Sequence, residues 1–204
     1  MKKIYALPMI LAAIVVVALA AVAGSGRNTT DVPASPAIGS AIEDFTLPDA
    51  DGVNHSLKSL MGTKGAVIIF VATKCPVSNA YNERMQKVYE DYQAKGINVI
   101  GINANSTEPA AEVKSHAAEK GLKFTILKDE GNKIADRFGA SATPEAYVLD
   151  ANGKLVYHGR IDNARDLAGV TSNDLRDALD ELLAGKPISK TGAKAFGCTI
   201  KRVS

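Results

Sequence analysis

The 204-residue sequence predicts an α/β fold, with a central mixed β-sheet flanked by helices and an N-terminal β-hairpin extension. The strongest indication is an uninterrupted apolar run at residues 66–71, which is typical of a strand buried on both faces. Strand and helix patterns then alternate as far as residue 138, and the turn pair Asn152-Gly153 joins two further strands. This order of elements indicates a sheet with both parallel and antiparallel neighbours.

Each predicted element has its own boundary signals. Segments 41–47 and 53–57 flank a Pro/Asp/Gly turn and predict the first hairpin. After the apolar run, Pro76 opens a helix that Gly96 ends. The remaining elements follow in order: a strand at 97–102, a helix at 108–120, a strand at 123–127, a helix at 132–138, a hairpin of 146–149 with 155–158, and a last helix capped by Ser172 and ended by Gly185.

The N-terminus has the pattern of a targeting segment. Lys2 and Lys3 precede an uncharged apolar run at residues 4–23, which ends in the small-x-small sequence of a signal-peptidase site. The run is also close to the length that spans a bilayer. We therefore predict a signal peptide or an N-terminal membrane anchor at residues 1–23, and both remain open. Either one indicates a domain outside the cytoplasm, periplasmic or secreted, where disulfides persist.

The rest of the chain divides into three parts. Residues 24–37 are polar and rich in Pro and Gly, and predict a flexible tether. Residues 38–185 form the predicted globular domain. Residues 186–204 look irregular and form a C-terminal tail that carries Cys198.

Composition and charge exclude several classes of function. The net charge is +2, and the domain is neutral once Lys2 and Lys3 are removed. A neutral domain without a basic stripe gives no reason to expect nucleic-acid binding. His55, His116 and His158 lack the spacing of metal ligands and are more simply surface or strand-edge residues. We expect no cofactor.

Cys75 lies between the predicted buried strand and the helix that Pro76 opens. A cysteine at a helix N-terminus feels the positive end of the helix dipole, and Lys74 adds a cation beside it. Both effects favour the thiolate, which is the nucleophilic form. The alternative is an inert cysteine that packs as a small hydrophobic residue at the end of a strand.

The sequence Phe70-Val71-Ala72-Thr73-Lys74-Cys75-Pro76-Val77-Ser78 resembles the thioredoxin active site, Phe-x-Ala-x-Trp-Cys-x-x-Cys. The resemblance extends over residues 38–183 and implies a thioredoxin-like fold. Lys74 replaces the tryptophan and Ser78 the second cysteine, so the chain is not an ordinary dithiol thioredoxin. Thr73, Lys74, Pro76 and Ser78 become candidate supporting residues. Ser78 could donate a hydrogen bond to the thiolate or be an ordinary helix-surface serine.

A second part of the resemblance is the sequence Ala142-Thr143-Pro144. In thioredoxins the proline at this point is cis and packs against the active-site cysteine, and the residue before it pairs with an incoming substrate strand. Carried over, Pro144 is the cis-proline and Thr143 the substrate-pairing residue. Ile69 stands where thioredoxin has a buried aspartate, so the resemblance supplies no proton acceptor.

The tail indicates a particular branch of this superfamily. Gly197-Cys198-Thr199-Ile200-Lys201 resembles the Gly-Cys-x-Ile-Lys ending of a peroxiredoxin-like (alkyl hydroperoxide reductase / thiol-specific antioxidant) subgroup of the redoxins. However, the peroxiredoxin motif Pro-x-x-x-Thr-x-x-Cys is not matched, because Ile68 and Ala72 occupy its proline and threonine positions. Pro144 occupies the position of its arginine, and Arg160 is not a clear substitute.

The resemblance implies a thiol-dependent oxidoreductase in which Cys75 attacks a protein disulfide or a hydroperoxide. Cys198 is the one internal candidate to resolve the product, and an external thiol would reset the pair. If Cys198 cannot reach Cys75, the protein is a one-cysteine enzyme that needs an external thiol. In a further alternative, Cys75 and Cys198 form a structural disulfide, worth about 4–5 kcal/mol in the chain-entropy model, within a non-catalytic binding or scaffold module.

Overall fold

A mixed six-stranded sheet lies at the centre of the protein, as the sequence predicts. The computed structural model describes Met1 and residues 33–203. The strands in chain order are β1 (Thr46–Pro48), β2 (Asn54–Ser56), β3 (Gly65–Phe70), β4 (Ile97–Asn103), β5 (Thr125–Lys128), β6 (Ala142–Thr143), β7 (Glu145–Asp150), β8 (Leu155–Gly159), β9 (Gly192–Ala193) and β10 (Cys198–Thr199). The main sheet has the order β5-β4-β3-β7-β8-β9, and the β1-β2 and β6-β10 pairs lie outside it.

The direction of the strands places the chain after β3 beside the chain after β4. β3 runs parallel to β4 and antiparallel to β7. The carboxyl ends of β3 and β4 therefore meet at one edge of the sheet, where Phe70 pairs with Ile102. Phe70 also pairs with Glu145, the first residue of β7. Residues that follow β3 and β4, and residues that precede β7, are thus brought to a common edge.

Alternation along β3 divides the core into two apolar layers. Val67 and Ile69 face the layer that contains buried residues of three helices, whereas Ile68 and Phe70 face the other layer. All six residues of β3 are buried, because the sheet is covered on both faces. The helices are α1 (Leu57–Leu60), α2 (Pro76–Ala80), α3 (Asn82–Gln93), α4 (Ala110–Glu119), α5 (Lys133–Phe138) and α6 (Asp174–Leu183).

The two layers are built from different elements. The first contains buried apolar residues of α3, α4 and α6, including Met85, Val113 and Leu179. The second contains Phe45 and residues of β1, α1 and α5. Phe138 lies near its centre, with its ring edge-on to those of Phe45, Phe70 and Tyr147.

The single helix predicted after Cys75 is divided in two at Tyr81. The Tyr81 amide donates to Ser78 O at 3.0 Å, a tightened turn that ends α2. The buried Tyr81 hydroxyl also donates to Asp162 Oδ1 at 2.7 Å. The prediction of Ser172 as a helix cap is wrong, because Asn173 precedes α6 and the Ser172 hydroxyl donates to Asp174 Oδ1 instead.

The predicted targeting segment, residues 1–23, lies outside the described residues except for Met1. Most of the predicted tether at 24–37 does so too, and its described end passes Gly139, which has a left-handed φ of +63° and ends α5. A Cβ at Gly139 would overlap Ala34 and its neighbours in this segment. Among the described helices, none is long and apolar enough to cross a membrane.

Most of the described tail has no regular secondary structure, as expected, but two short strands interrupt it. β9 pairs in parallel with β8 and extends the main sheet at its edge. β10 pairs antiparallel with β6. These strands have only two residues each, which is too short to give a pattern in the sequence.

Candidate active site

Cys75 lies at the start of α2, beyond the carboxyl end of β3. It has extended backbone angles (φ −85°, ψ 116°) and is the N-cap residue of the helix. Pro76 occupies the first turn, as predicted. The Ser78 amide donates to Cys75 Sγ at 3.3 Å. The residue is 3% exposed, so the sulfur lies beneath other parts of the chain.

Cys75 and Cys198 form a disulfide across 123 residues of sequence, with a Cα–Cα distance of 5.8 Å. The sequence left open whether Cys198 reaches Cys75, and the fold brings the two together. Because Cys198 reaches Cys75, the alternative of a one-cysteine enzyme, which required that it could not, is not supported. No described cysteine is free.

Thr143 and Pro144 lie opposite Cys75. The Thr143–Pro144 peptide bond is cis, in agreement with the expectation from the thioredoxin resemblance. Thr143 O lies 3.4 Å from Cys75 Sγ. Thr143 pairs with Cys198 in the β6-β10 ladder, so the tail occupies the position expected for a substrate strand.

Ser78 does not direct its hydroxyl at the sulfur. The residue is fully buried, and its Oγ accepts a hydrogen bond from the Ala72 amide at 3.1 Å. The expectation of a helix-surface serine is therefore corrected, and in the disulfide the contact with Cys75 comes from the Ser78 backbone amide. The side chain instead fixes the end of the strand before the cysteine.

Thr73 and Lys74 are held by two carboxylates near the start of α4. Glu108 accepts hydrogen bonds from the Thr73 amide at 2.9 Å and from the Lys74 amide at 3.1 Å. Glu112 accepts from the Thr73 hydroxyl and pairs with Lys74 Nζ at 2.9 Å. The Lys74 cation thus has a carboxylate partner and donates also to Thr107 O, rather than standing as an unpaired charge beside Cys75.

Glu108 is 2% exposed, and its hydrogen-bond partners favour its charged form. Burial by itself raises the pKa of Glu108, but the hydrogen bonds from Thr73, Asn103 and Lys74 outweigh it and leave the pKa below its ordinary value. Sequence reasoning missed both Glu108 and Glu112. No local pattern distinguishes them, because their role depends on the adjacent ends of β3 and β4.

A buried polar network connects this loop with the tail. Asn103 Nδ2 donates to Glu108 Oε2, and Asn103 Oδ1 accepts from Lys128 Nζ at 2.8 Å. Lys128 also donates to Asn105 O at 2.7 Å, and Asn105 Oδ1 accepts from the Lys201 amide at 2.7 Å. Burial lowers the pKa of Lys128. The loop before Cys75 and the tail that carries Cys198 are therefore connected by one hydrogen-bond network.

A second buried carboxylate supports the strand that pairs with the tail. Glu145 Oε2 accepts from the amides of Ser141 and Ala142 at 2.8 and 3.0 Å. Its Oε1 lies 2.6 Å from His158 Nε2. Burial by itself raises the pKa of Glu145, but these partners outweigh it, so the pKa lies below its ordinary value. Among the described residues, no three potential metal ligands lie close together. The contact of His158 is with Glu145.

Arg160, which was not a clear substitute for the peroxiredoxin arginine, pairs with a buried aspartate. Its Nε lies 2.7 Å from Asp174 Oδ2, and Lys190 and Ser172 contact the other carboxylate oxygen. The Asp174 side chain is fully buried. Burial alone would raise its pKa, but Arg160, Lys190 and Ser172 outweigh it and hold the pKa of Asp174 at about 2.

Asp174→Asn is expected to change the acid stability of the protein. Because the folded-state pKa lies below the unfolded value, the carboxylate contributes stability above about pH 4, and this contribution is lost as the pH falls toward 2. Urea unfolding should show the variant less stable than the wild type at pH 7, with the gap closing between pH 4 and 2. Asp177→Asn, at an exposed position of α6, is the control. A constant gap across this range would contradict the assignment.

A cysteine at a strand-to-helix junction, faced by a cis-proline and bridged to a second cysteine, defines a thiol-redox protein of the thioredoxin-like fold. The thioredoxin domain of a thiol-disulfide oxidoreductase from Bacteroides vulgatus has this fold, with a TM-score of 0.58 over 73% of the chain at 19% identity. A sequence model described as AhpC/TSA family matches residues 38–158, which is more than half of the chain. The chain therefore belongs to the AhpC/TSA family, and the predicted resemblance to peroxiredoxin-like redoxins is confirmed.

The relatives include a thiol-disulfide oxidoreductase and a peroxiredoxin, which correspond to the two substrate types that the sequence left open. The thiol-disulfide oxidoreductase ResA of Bacillus thuringiensis (strain Al Hakam) is 33% identical over 119 residues, covering 58% of this chain and 67% of that protein. The chloroplastic peroxiredoxin Q of Oryza sativa subsp. japonica is 36% identical over 140 residues, covering 65% and 63%. A solved structure of a hypothetical protein from Sinorhizobium meliloti 1021 covers 84% of this chain and 97% of its own, with a TM-score of 0.78 and 33% identity.

Proposed function

We propose that the protein is an extracytoplasmic thiol–disulfide oxidoreductase in which Cys75 and Cys198 are the redox couple. The observation that carries this proposal is the disulfide itself, which joins the helix N-terminus at Cys75 to a strand paired with Thr143. The disulfide and the apolar segment at residues 4–23 support a location outside the cytoplasm. That segment would act as a cleaved signal peptide or as a membrane tether.

In the proposed cycle the reduced protein gives two electrons to a disulfide substrate. The Cys75 thiolate attacks one substrate sulfur, the substrate S–S bond breaks, and the second substrate sulfur leaves as a thiolate. The Cys198 thiolate then attacks Cys75 Sγ, releasing the remaining substrate thiolate and forming the Cys75–Cys198 bond. An external thiol reductant returns the pair to two thiols.

The surroundings of Cys75 suit the release and recovery of a thiolate. When the bond to Cys198 breaks, the Ser78 amide already lies within hydrogen-bonding distance of the Cys75 sulfur. Cys198 is half-buried whereas Cys75 is buried. We therefore expect a reducing thiolate to attack Cys198, with the electron pair of the broken bond leaving on Cys75.

A hydroperoxide is the second candidate substrate, because the chain is 36% identical to a peroxiredoxin over 140 residues. In that reaction Cys75 attacks the O–O bond, giving a sulfenic acid and an alcohol or water, and Cys198 displaces water to form the disulfide. Pro144 occupies the position of the arginine that peroxiredoxins use, and Arg160 is paired with Asp174. Disulfide exchange is therefore preferred.

The test compares the two oxidants directly. The reduced protein is mixed with one equivalent of hydrogen peroxide or of an oxidised dithiol, and intact mass and peptide mapping follow Cys75 and Cys198 over time. We expect the oxidised dithiol to close the bridge faster than peroxide does. Faster closure by peroxide would favour the peroxidase. Failure of both, with a bridge that resists mild reductant, would leave a structural disulfide in a scaffold module.

A further inference from the structure

The segment from Gly197 to Arg202 lies along β6 as an added strand. Thr199 pairs with Ala142 and Cys198 with Thr143. The Ile200 amide donates to Ser141 O at 3.1 Å, which continues the pairing. We call the surface formed by residues 141–143 and their neighbours the tail groove.

Several further bonds to the tail use only its backbone. The Lys201 amide donates to Asn105 Oδ1 at 2.7 Å, and Lys201 O accepts from the Ser106 amide at 2.8 Å. The Val203 amide donates to Asn132 Oδ1 at 2.8 Å. Because none of these contacts depends on a tail side chain, another extended chain could form them equally well.

Two tail positions are nevertheless selective. A Cβ at Gly197 would overlap the Thr143 carbonyl and lie 2.7 Å from its carbon, and the residue has φ +153°. Ile200 is 3% exposed and belongs to the same apolar layer as Phe138. The groove thus requires glycine immediately before the cysteine and accepts an aliphatic side chain two places after it.

A third tail position contributes less to the selectivity of the tail groove. Arg202 Nε lies 2.8 Å from Asp136 Oδ1, and Arg202 Nη2 donates to Ala140 O at 2.7 Å. The Asp136 side chain is 44% exposed, so solvent screens this pair and weakens its effect on selectivity.

We propose that the tail groove selects, among extended substrate segments that carry a cysteine, those with the pattern Gly-Cys-x-aliphatic, and that the protein's own tail competes for it. The proposal rests on the proposed function and specifies its substrate class. In the productive complex the partner cysteine takes the place of Cys198. The Cys75 thiolate attacks that cysteine's disulfide, a mixed disulfide forms, and the other sulfur leaves as a thiolate.

The test uses full-length protein in which Cys198→Ser removes the internal disulfide and Gly197→Ala displaces the tail from the tail groove. The probe is the peptide Ala-Phe-Gly-Cys-Thr-Ile-Lys-Arg, which matches residues 195–202, with its cysteine blocked by thionitrobenzoate. Release of thionitrobenzoate reports the rate of mixed-disulfide formation. If Gly197→Ala prevents folding, as checked by circular dichroism, Ile200→Asp replaces it, because a carboxylate in the apolar layer also expels the tail.

Peptides carrying Gly197→Ala or Ile200→Asp are expected to react at least about tenfold more slowly than the parent peptide. The peptide carrying Thr199→Ser is the matched control, because Thr199 is exposed, and it should react like the parent. The protein with Cys198→Ser alone should react more slowly than the double variant, since its tail still fills the groove.

A small symmetric disulfide, bis(2-hydroxyethyl) disulfide, separates failure of this proposal from failure of the proposed function. Rapid reaction of Cys75 with the small disulfide, together with equal rates for all the peptides, overturns the docking proposal alone. No reaction of Cys75 with either probe overturns both proposals.

Discussion

Cys75→Ser is expected to abolish catalysed disulfide reduction, with a loss of at least about a thousandfold in turnover. A hydroxyl does not replace a thiolate as nucleophile, and the Ser78 amide then faces an oxygen that carries no charge. The measurement is steady-state reduction of a protein disulfide in the presence of an external thiol.

Cys198→Ser is the matched variant for this prediction, because it removes the partner and keeps the nucleophile. We expect it to complete a single attack and to accumulate a mixed disulfide on Cys75, visible by intact mass. Full turnover by the Cys75 variant would contradict the assignment. Identical behaviour of the two variants would place the two cysteines in equivalent roles.

Glu108→Ala is expected to lower the free energy of unfolding by about 3 kcal/mol, because it leaves the amides of Thr73 and Lys74 and the Asn103 side chain without an acceptor. The loop before Cys75 should loosen at the same time. Urea unfolding measures the first effect, and the rate at which the reduced Cys75 thiol is alkylated measures the second.

Two variants sharpen the Glu108 experiment. Glu112→Ala removes a neighbouring carboxylate that contacts the same two residues from a half-buried position, and its effect should be smaller. Glu108→Gln preserves the shape but sets an amide donor against another donor, so its effect should lie between the two alanine variants. Equal stability of the Glu108→Ala and Glu112→Ala proteins would refute a special role for the buried carboxylate.

Local sequence patterns were sufficient for five of the six strands of the main sheet, all except β9. Burial of β3 on two faces requires an uninterrupted apolar run, which is visible in the sequence. The left-handed turn geometry favours the pair Asn152-Gly153, which is visible too. The position of Cys75 at the start of a helix was predictable for the same reason, since Pro76 specifies the first helical turn.

Features that depend on distant partners were not predictable. The helix break at Tyr81 coincides with hydroxyl bonds to Asp162 and Ala164, which lie 81 and 83 residues along the chain. The docking of the tail relies on β10, a strand of two residues whose register is set by β6. Glu108 resembled any acidic residue early in a helix, and its role follows only from the adjacent ends of β3 and β4.

The 123-residue separation of the two cysteines also orders events during biosynthesis. Ribosomes add about 5 to 20 residues per second, so Cys75 is made about 6 to 25 s before Cys198. Asn105, Asn132 and residues 141–143, which hold the tail, all lie between the two cysteines in sequence. A nascent chain therefore carries Cys75 as a single thiol until the residues that hold the tail have been synthesised. Formation of the disulfide thus indicates a chain in which these residues are already present.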